Sequence, residues 1–139
     1  MKIIAANWKL NKSPAQTTSY FKDFLGKYKN SEDRTVVFFV PATNLERAVQ
    51  STQGSQVHIG AQNCFWEVSG AFTGETSVLT CKEIGASWIL LGHSERRSLF
   101  AETNQMISKK LKAAQNVELH SLVCIGETLA ERDSGKTFE

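Results

Sequence analysis

The chain has 139 residues, 41% of them apolar and 22% charged, with a formal net charge of +2. These values describe one globular domain and exclude a disordered tail, a fibre and a surface basic enough for nucleic acid. The three cysteines, Cys64, Cys81 and Cys124, lie far apart without a CxxC pair, which argues against zinc, iron-sulfur clusters and a disulfide framework.

The first apolar stretch, residues 2–6, reads as a strand and stops at Asn7, far short of a signal-peptide core or a membrane span. A cytoplasmic protein is the expectation. Adjacent Ile3 and Ile4 predict burial on both faces, as in a parallel sheet covered by helices. Ser13, Pro14 and Gln16 then make a capping box with proline at the first helical position. Phe21, Phe24, Leu25 and Tyr28 recur at i, i+3, i+4 and i+7, so one stripe of this helix faces a sheet. The polar residues 30–34 end it.

A second strand covers 35–40, β-branched and aromatic, and Pro41 closes it. Leu45, Ala48 and Val49 mark a short helix, and a third strand covers 57–61. Residues 62–75 form a long loop that carries Phe65, Trp66, Val68 and Phe72 between Asn63 and the turn-forming Gly70 and Gly74. Those rings pack either on the protein's own surface or into a partner subunit. Val78, Cys81 and residues 82–85 predict a third helix ending at Gly85. Strand four is 88–91. Ile107, Leu111 and Ala114 stripe a fourth helix, in which Lys109, Lys110 and Lys112 read as a solvated face. Strand five is 119–125, and a charged tail follows.

Strand alternating with helix admits an open doubly wound sheet or a closed barrel. No glycine-rich phosphate loop of either familiar type follows a strand, so nucleotide binding has no support. Reactive side chains instead gather just past strand ends, where parallel α/β proteins place their sites. Asn7 and Lys9 follow strand one, and a lysine there can hold a small anion or a developing oxyanion, although most such lysines are surface residues. After strand four comes a dense polar cluster, His93, Ser94, Glu95, Arg96 and Arg97. A neutral His93 can donate to a substrate oxygen, with helix-terminal N–H groups opposing its protonation. Glu95 can pair with Lys9 or bond to the backbone. Cys124 reads as an inert thiol within strand five, and a His93–Cys124 dyad requires both on one face.

Five strings, NWK at 7–9, AQN at 61–63, GAFTGE at 70–75, LGHSERR at 91–97 and CIGE at 124–127, together resemble the triosephosphate isomerase family in order and spacing. The resemblance runs over the whole chain. It implies an α/β fold, the TIM (β/α)8 barrel, of which residues 1–139 hold roughly the first four βα units plus strand five of a single domain. It further implies interconversion of dihydroxyacetone phosphate and D-glyceraldehyde 3-phosphate through an enediol, without cofactor or metal. Carried over, Lys9 is the electrostatic clamp on the substrate and Asn7 a substrate-positioning contact. His93 is the neutral electrophile and Glu95 the partner of Lys9. The loop segment Phe72, Thr73, Gly74 and Glu75 resembles the one that inserts beside the neighbouring subunit's site, which implies a homodimer.

The family's glutamate base after strand six, its lid and its phosphate loops after strands seven and eight have no counterpart in these residues. Lys12 stands where the family usually has glycine. Without a base the 139 residues alone are expected to be inactive, and a non-catalytic half-barrel that self-associates is the alternative reading.

Overall fold

The computed structural model describes residues 2–137. Five strands, β1 (Lys2–Asn7), β2 (Arg34–Val40), β3 (Val57–Ala61), β4 (Trp88–Leu91) and β5 (His120–Val123), form one sheet in the order β1-β2-β3-β4-β5. Every neighbouring pair is parallel. Between and after them run α1 (Pro14–Leu25), α2 (Leu45–Thr52), α3 (Val78–Ile84), α4 (Ser94–Leu99), α5 (Asn104–Asn116) and α6 (Leu129–Asp133). Strand order follows chain order without reversal, so the sheet has no topological switch point and the doubly wound alternative is excluded.

Side-chain alternation separates two cores. Val36, Phe38, Val40, Ile59, Ala61, Ile89 and Leu91 point to one face and pack with Phe21, Leu45, Ala48, Val78, Cys81, Ile107 and Ala114 from the helices. Val37, Phe39 and Leu90 point to the opposite face and cluster only with other residues on or just after strands, Trp88, Leu122 and Cys124. Helices therefore cover one face of the sheet, and the other packs on itself, which is how a barrel wall is built. Gly60 makes this inner packing possible: a Cβ there would sit 2.6 Å from the Phe39 ring and 2.9 Å from the Trp88 Cβ.

Local signals set the helix starts. The Ser13 hydroxyl accepts from the Gln16 N–H at 3.3 Å while the Gln16 carbonyl oxygen accepts from the Ser13 N–H at 2.8 Å, completing the capping box. Thr128 and Glu131 form a second capping box at α6, while the Ser77 and Thr103 hydroxyls accept from the Leu79 and Met106 N–H groups at the starts of α3 and α5. The α1 stripe joins an aromatic cluster in which the Phe38 ring lies 5.2 Å from Phe21 and 5.0 Å from Phe24, edge to face. Trp8 stacks on Phe21 at 5.2 Å in the same cluster.

Four expectations change. Ile3 and Ile4 are 51% and 52% exposed, because β1 is an edge of this five-stranded sheet and no strand flanks it among the described residues. Strand β5 is shorter than expected and ends before Cys124. The polar cluster after β4 is itself a helical turn and a half, α4, with no buried residue to betray it by periodicity. Most unlike the expectation, Lys110 is only 2% exposed; it lies inside the protein with Glu102, while Lys109 and Lys112 remain on the surface.

Candidate active site

A cavity of about 480 Å³ opens at the C-terminal ends of β1, β3 and β4. Asn7, Lys9, Gln62, Asn63, Thr76, His93, Glu95 and Arg96 supply its polar lining, and Ala61 and Leu90 part of its apolar wall. Leu10, Leu99 and Phe100, all largely exposed, form an apolar rim.

Alternation past the end of β1 places the first residues. Asn7 faces the cavity, Trp8 is buried in the aromatic cluster with its N–H donating to Phe39 O at 3.0 Å, and Lys9 returns to the cavity. Lys9 has φ +53°, a left-handed backbone that costs a residue with a Cβ about 1–2 kcal/mol. Polar side chains hold it there. Asn7 Oδ1 accepts from the Lys9 N–H at 2.9 Å, and Gln62 Nε2 donates to Lys9 O at 3.0 Å. Lys12, where glycine was the expected type, also has a positive φ, +72°. Its carbonyl accepts from buried Asn44 Nδ2 at 2.7 Å, and its ammonium lies 4.6 Å from the Tyr20 ring centroid, a cation–π contact that offsets the strain.

The Lys9 ammonium donates to Glu95 Oε1 at 2.8 Å, an ion pair across the cavity between residues 86 apart in sequence. Hydrogen bonding and charge from Lys9 hold the Glu95 carboxyl below the usual glutamate range. A lowered carboxyl is ionised above its ordinary range, so the pair stands at neutral pH and is lost only as pH falls through the lowered value.

His93 caps α4. Its Nδ1 accepts from the Glu95 N–H at 3.2 Å, which leaves Nε2 as the donor of a neutral ring. Glu95 Oε2 lies 3.5 Å from the same Nδ1. Lys9, His93 and Glu95 thus meet as the sequence suggested, with Asn7 beside them. Cys124 reads as the inert thiol expected: burial raises it, and His93 Nδ1 accepts from the Glu95 N–H. Burial pushes Cys64 up to about 12 and Cys81 to about 11, so neither buried thiol is a nucleophile.

Arg97 ties the rim together. Its guanidinium donates to Gly92 O at 2.7 Å, Asn104 Oδ1 at 2.6 Å and Cys124 O at 3.2 Å, linking the ends of β4 and β5 to the start of α5. Gly92 has φ +69°, and a Cβ there would meet Arg97 Nη2 at 2.9 Å and Ile107 Cδ1 at 3.0 Å. Gly92→Ala is therefore expected to destabilise the chain by about 2 kcal/mol, from backbone strain and overpacking together, as measured by the urea midpoint.

The loop between β3 and α3 is a closed lobe. Phe65 bridges to Ser77, its N–H donating to Thr76 O at 2.8 Å, and Ser77 Oγ donates to Val68 O at 2.8 Å. Phe65 lies 4.0 Å from Trp66 and 4.6 Å from Phe72, so the rings pack mainly on one another. Phe72 stays 42% exposed at the tip, where Thr73, Gly74 and Glu75 are also exposed.

The sequence places Arg97 in the polar cluster without showing its task, and neither Gln62 nor Asn44 stands out as a site residue. Gln62 lay within the AQN string, which was its only signal. Among the described residues, no group of three or more His, Cys, Asp or Glu side chains could hold a metal ion, and no helix is long and apolar enough to cross a membrane.

A singly wound parallel sheet with its polar cavity at the strands' C-terminal ends defines a protein of the α/β-barrel class. Residues 2–139 match the family model described as triosephosphate isomerase, and the chain belongs to that family. Its sheet is the N-terminal part of the TIM barrel. It is 45% identical over 138 residues to the triosephosphate isomerase of Dictyoglomus thermophilum and 46% identical over 138 residues to that of Dictyoglomus turgidum. The enzyme of Bdellovibrio bacteriovorus is 46% identical over 140 residues. In each case the match takes in 99% of this chain and 55–56% of the relative, so the chain spans about half the length of the curated relatives it matches.

Proposed function

We propose that these residues serve the interconversion of dihydroxyacetone phosphate and D-glyceraldehyde 3-phosphate, by proton transfer through an enediol, within a complete barrel. The observation that carries this reading is the meeting of the Lys9 ammonium and the His93 imidazole at one cavity on the strand ends, with Glu95 bonded to both. Lys9 would stabilise negative charge on the substrate oxygens, and His93 Nε2–H would polarise the carbonyl and pass a proton between the two oxygens. Asn7 and Glu95 act as positioning residues. No cofactor or metal enters this chemistry.

Glu95 is the sole carboxylate among the described cavity-lining residues, and its bond to Lys9 makes it a poor base. Glu67 and Glu75 are exposed on the lobe, and Glu127 is bonded to Arg132 at 2.7 Å. A positioned base alone contributes about 10²–10⁴-fold. The 139-residue chain is thus expected to be inactive, while a complete protein containing it isomerises either triose phosphate in a coupled steady-state assay. Absence of activity from the complete protein would sink the reading.

The exposed tip of the aromatic lobe, Phe72 to Glu75, suits insertion beside a second copy of the protein, and a cytoplasmic homodimer completes the proposal. Ile3, Ile4 and Ile125, the last 91% exposed, favour a second behaviour for the isolated chain, self-association through its sheet edges. Sedimentation of the 139-residue chain as a monomer would dismiss that alternative.

A further inference from the structure

Two of the three histidines, His58 and His120, stand outside the cavity. Alternation puts both on the inner face of the sheet, near the strands' N-terminal ends. His58 is the register partner of Val37, a member of the inner core, and His120 is the partner of Trp88, whose ring lies 5.0 Å from its own. Ser87, just before β4, is bonded to both. Its Oγ lies 3.2 Å from His58 Nδ1, and its carbonyl accepts from the His120 N–H at 3.0 Å. The Ser87 N–H donates to Ile59 O at 2.9 Å, so one residue joins β3, β4 and β5 at this end.

Nothing around the two rings serves as a counter-ion. Among the described residues no carboxylate pairs with His58 or His120. The groove beside His58 takes its polar lining from Gln50, Thr52, Gln53, Ser55 and Ser87, all uncharged. At the start of β2, Asp33 and Arg34 pair with each other at 3.6 Å. Glu46 and Arg47 of α2 and Glu83 of α3 are exposed, as is Glu118 before β5, and Lys82 of α3 donates to Glu118 O at 3.3 Å. A hydroxyl donates to a neutral ring nitrogen and accepts from a protonated one, so the Ser87 bond does not oppose protonation. Burial and like charge do: burial, and then the charge of His120, hold His58 below the ordinary histidine value. In a complete barrel this face is the packed interior, and further strands cover it.

We propose that His58 and His120 make the N-terminal end of the β3-β4-β5 seam acid-sensitive, closed while the rings are neutral and loosened as both take up protons. A histidine held below its ordinary value binds fewer protons folded than unfolded. Stability is therefore highest above that value of 6.5 and falls as pH drops from it toward the lowered one. Neither ring lines the cavity, so the proposal does not depend on the isomerase reading.

Hydrogen exchange on the complete protein reads the seam. From about pH 7.5 to about pH 5, the protection factors of the Ser87 and His120 amides, corrected for intrinsic exchange, fall by about tenfold, the effect of one pKa unit. Those of the Trp8 and Cys124 amides, which bond to Phe39 O and Leu91 O at the opposite ends of the strands, fall less. A Ser87 amide with pH-independent protection overturns the proposal, and so does an equal fall at both ends. His120→Gln, at an exposed position, removes one of the two charges. It lessens the fall at Ser87 and raises the His58 titration midpoint read from the ring resonances by NMR. A folded variant with the wild-type fall and midpoint overturns the proposal. If His120→Gln does not fold, His58→Gln is read by the Ser87 amide in the same way. His93→Gln is the control and keeps the fall at Ser87; a fall abolished there assigns the acid response to the cavity and overturns the proposal. None of these measurements involves turnover. An inactive complete protein would overturn the function proposed above and leave this result standing.

Discussion

Lys110→Met is expected to destabilise the chain by about 3–5 kcal/mol, the cost of breaking a buried ion pair by removing one partner. Lys110 donates to the Glu102 carboxylate and, at 2.8 Å, to Asn63 Oδ1. The Glu102 side chain is 1% exposed, and its one other cationic partner among the described residues is Arg96, whose Nε lies 3.3 Å away. Among the described residues Glu102 Oε2 already has no hydrogen-bond partner. With Lys110 gone, a buried carboxylate would keep one partly exposed guanidinium and Asn63 would lose its donor. Repulsion is not the issue; desolvation of an undercompensated charge is.

Two further variants locate the cause. Lys109→Met removes a surface cation that lies 5.1 Å over the Trp66 ring, and should cost no more than about 1 kcal/mol. Glu102→Leu combined with Lys110→Met removes both charges and should recover most of the loss, because a buried pair contributes little net stability relative to apolar packing. Urea midpoints at constant m value read all three. A loss below about 1 kcal/mol for Lys110→Met would mean that the pair behaves as a surface pair and that its burial has been misjudged.

The misreading of Lys110 from sequence has an instructive source. Ile107, Leu111 and Ala114 were identified as the buried stripe of their helix, and position 110 lies within that stripe, three residues after Ile107 and four before Ala114. The periodicity was right about the position, but the chemistry of lysine argued for solvent. The stripe prevailed because Glu102, eight residues earlier and outside the helix, was available as a partner, and no helical period can reveal such a pair. The same limit applies to α4. Its signals are a capping histidine and a short polar run, both of which a loop also displays.

Strands were legible where both faces are buried, as in β2, β3 and β4. In β1 the apolar pair Ile3 and Ile4 still identified a strand, yet burial depends on neighbours that a strand's own residues do not encode. Lys9, His93 and Glu95 could be found because chemically active side chains just beyond apolar runs stand out. The tasks of Gln62, Arg97 and Asn44 could not be read, since each bonds backbone carbonyls, and the sequence contains no mark of which carbonyl a side chain will meet.

Lys9→Met in the complete protein is expected to lower kcat/KM by about 10³-fold while leaving the fold nearly unchanged. The stability side follows from exposure: the Lys9–Glu95 pair is about half accessible on both partners, and exposed ion pairs add little to stability. The catalytic side follows from placement. Removing one preorganised group that stabilises a developing oxyanion typically costs about 10²–10³ in rate, and a full positive charge at the cavity belongs at the upper end. Lys9→Arg should not rescue the variant, because a planar guanidinium cannot occupy the position of a compact ammonium set by a left-handed backbone. Glu95→Gln should cost less than Lys9→Met, because it loosens the ammonium without removing it. Steady-state kinetics in both directions, with unfolding midpoints measured in parallel, separate these effects. A Lys9→Met enzyme within tenfold of wild type would remove lysine from the chemistry and leave its pairing with Glu95 as surface electrostatics alone.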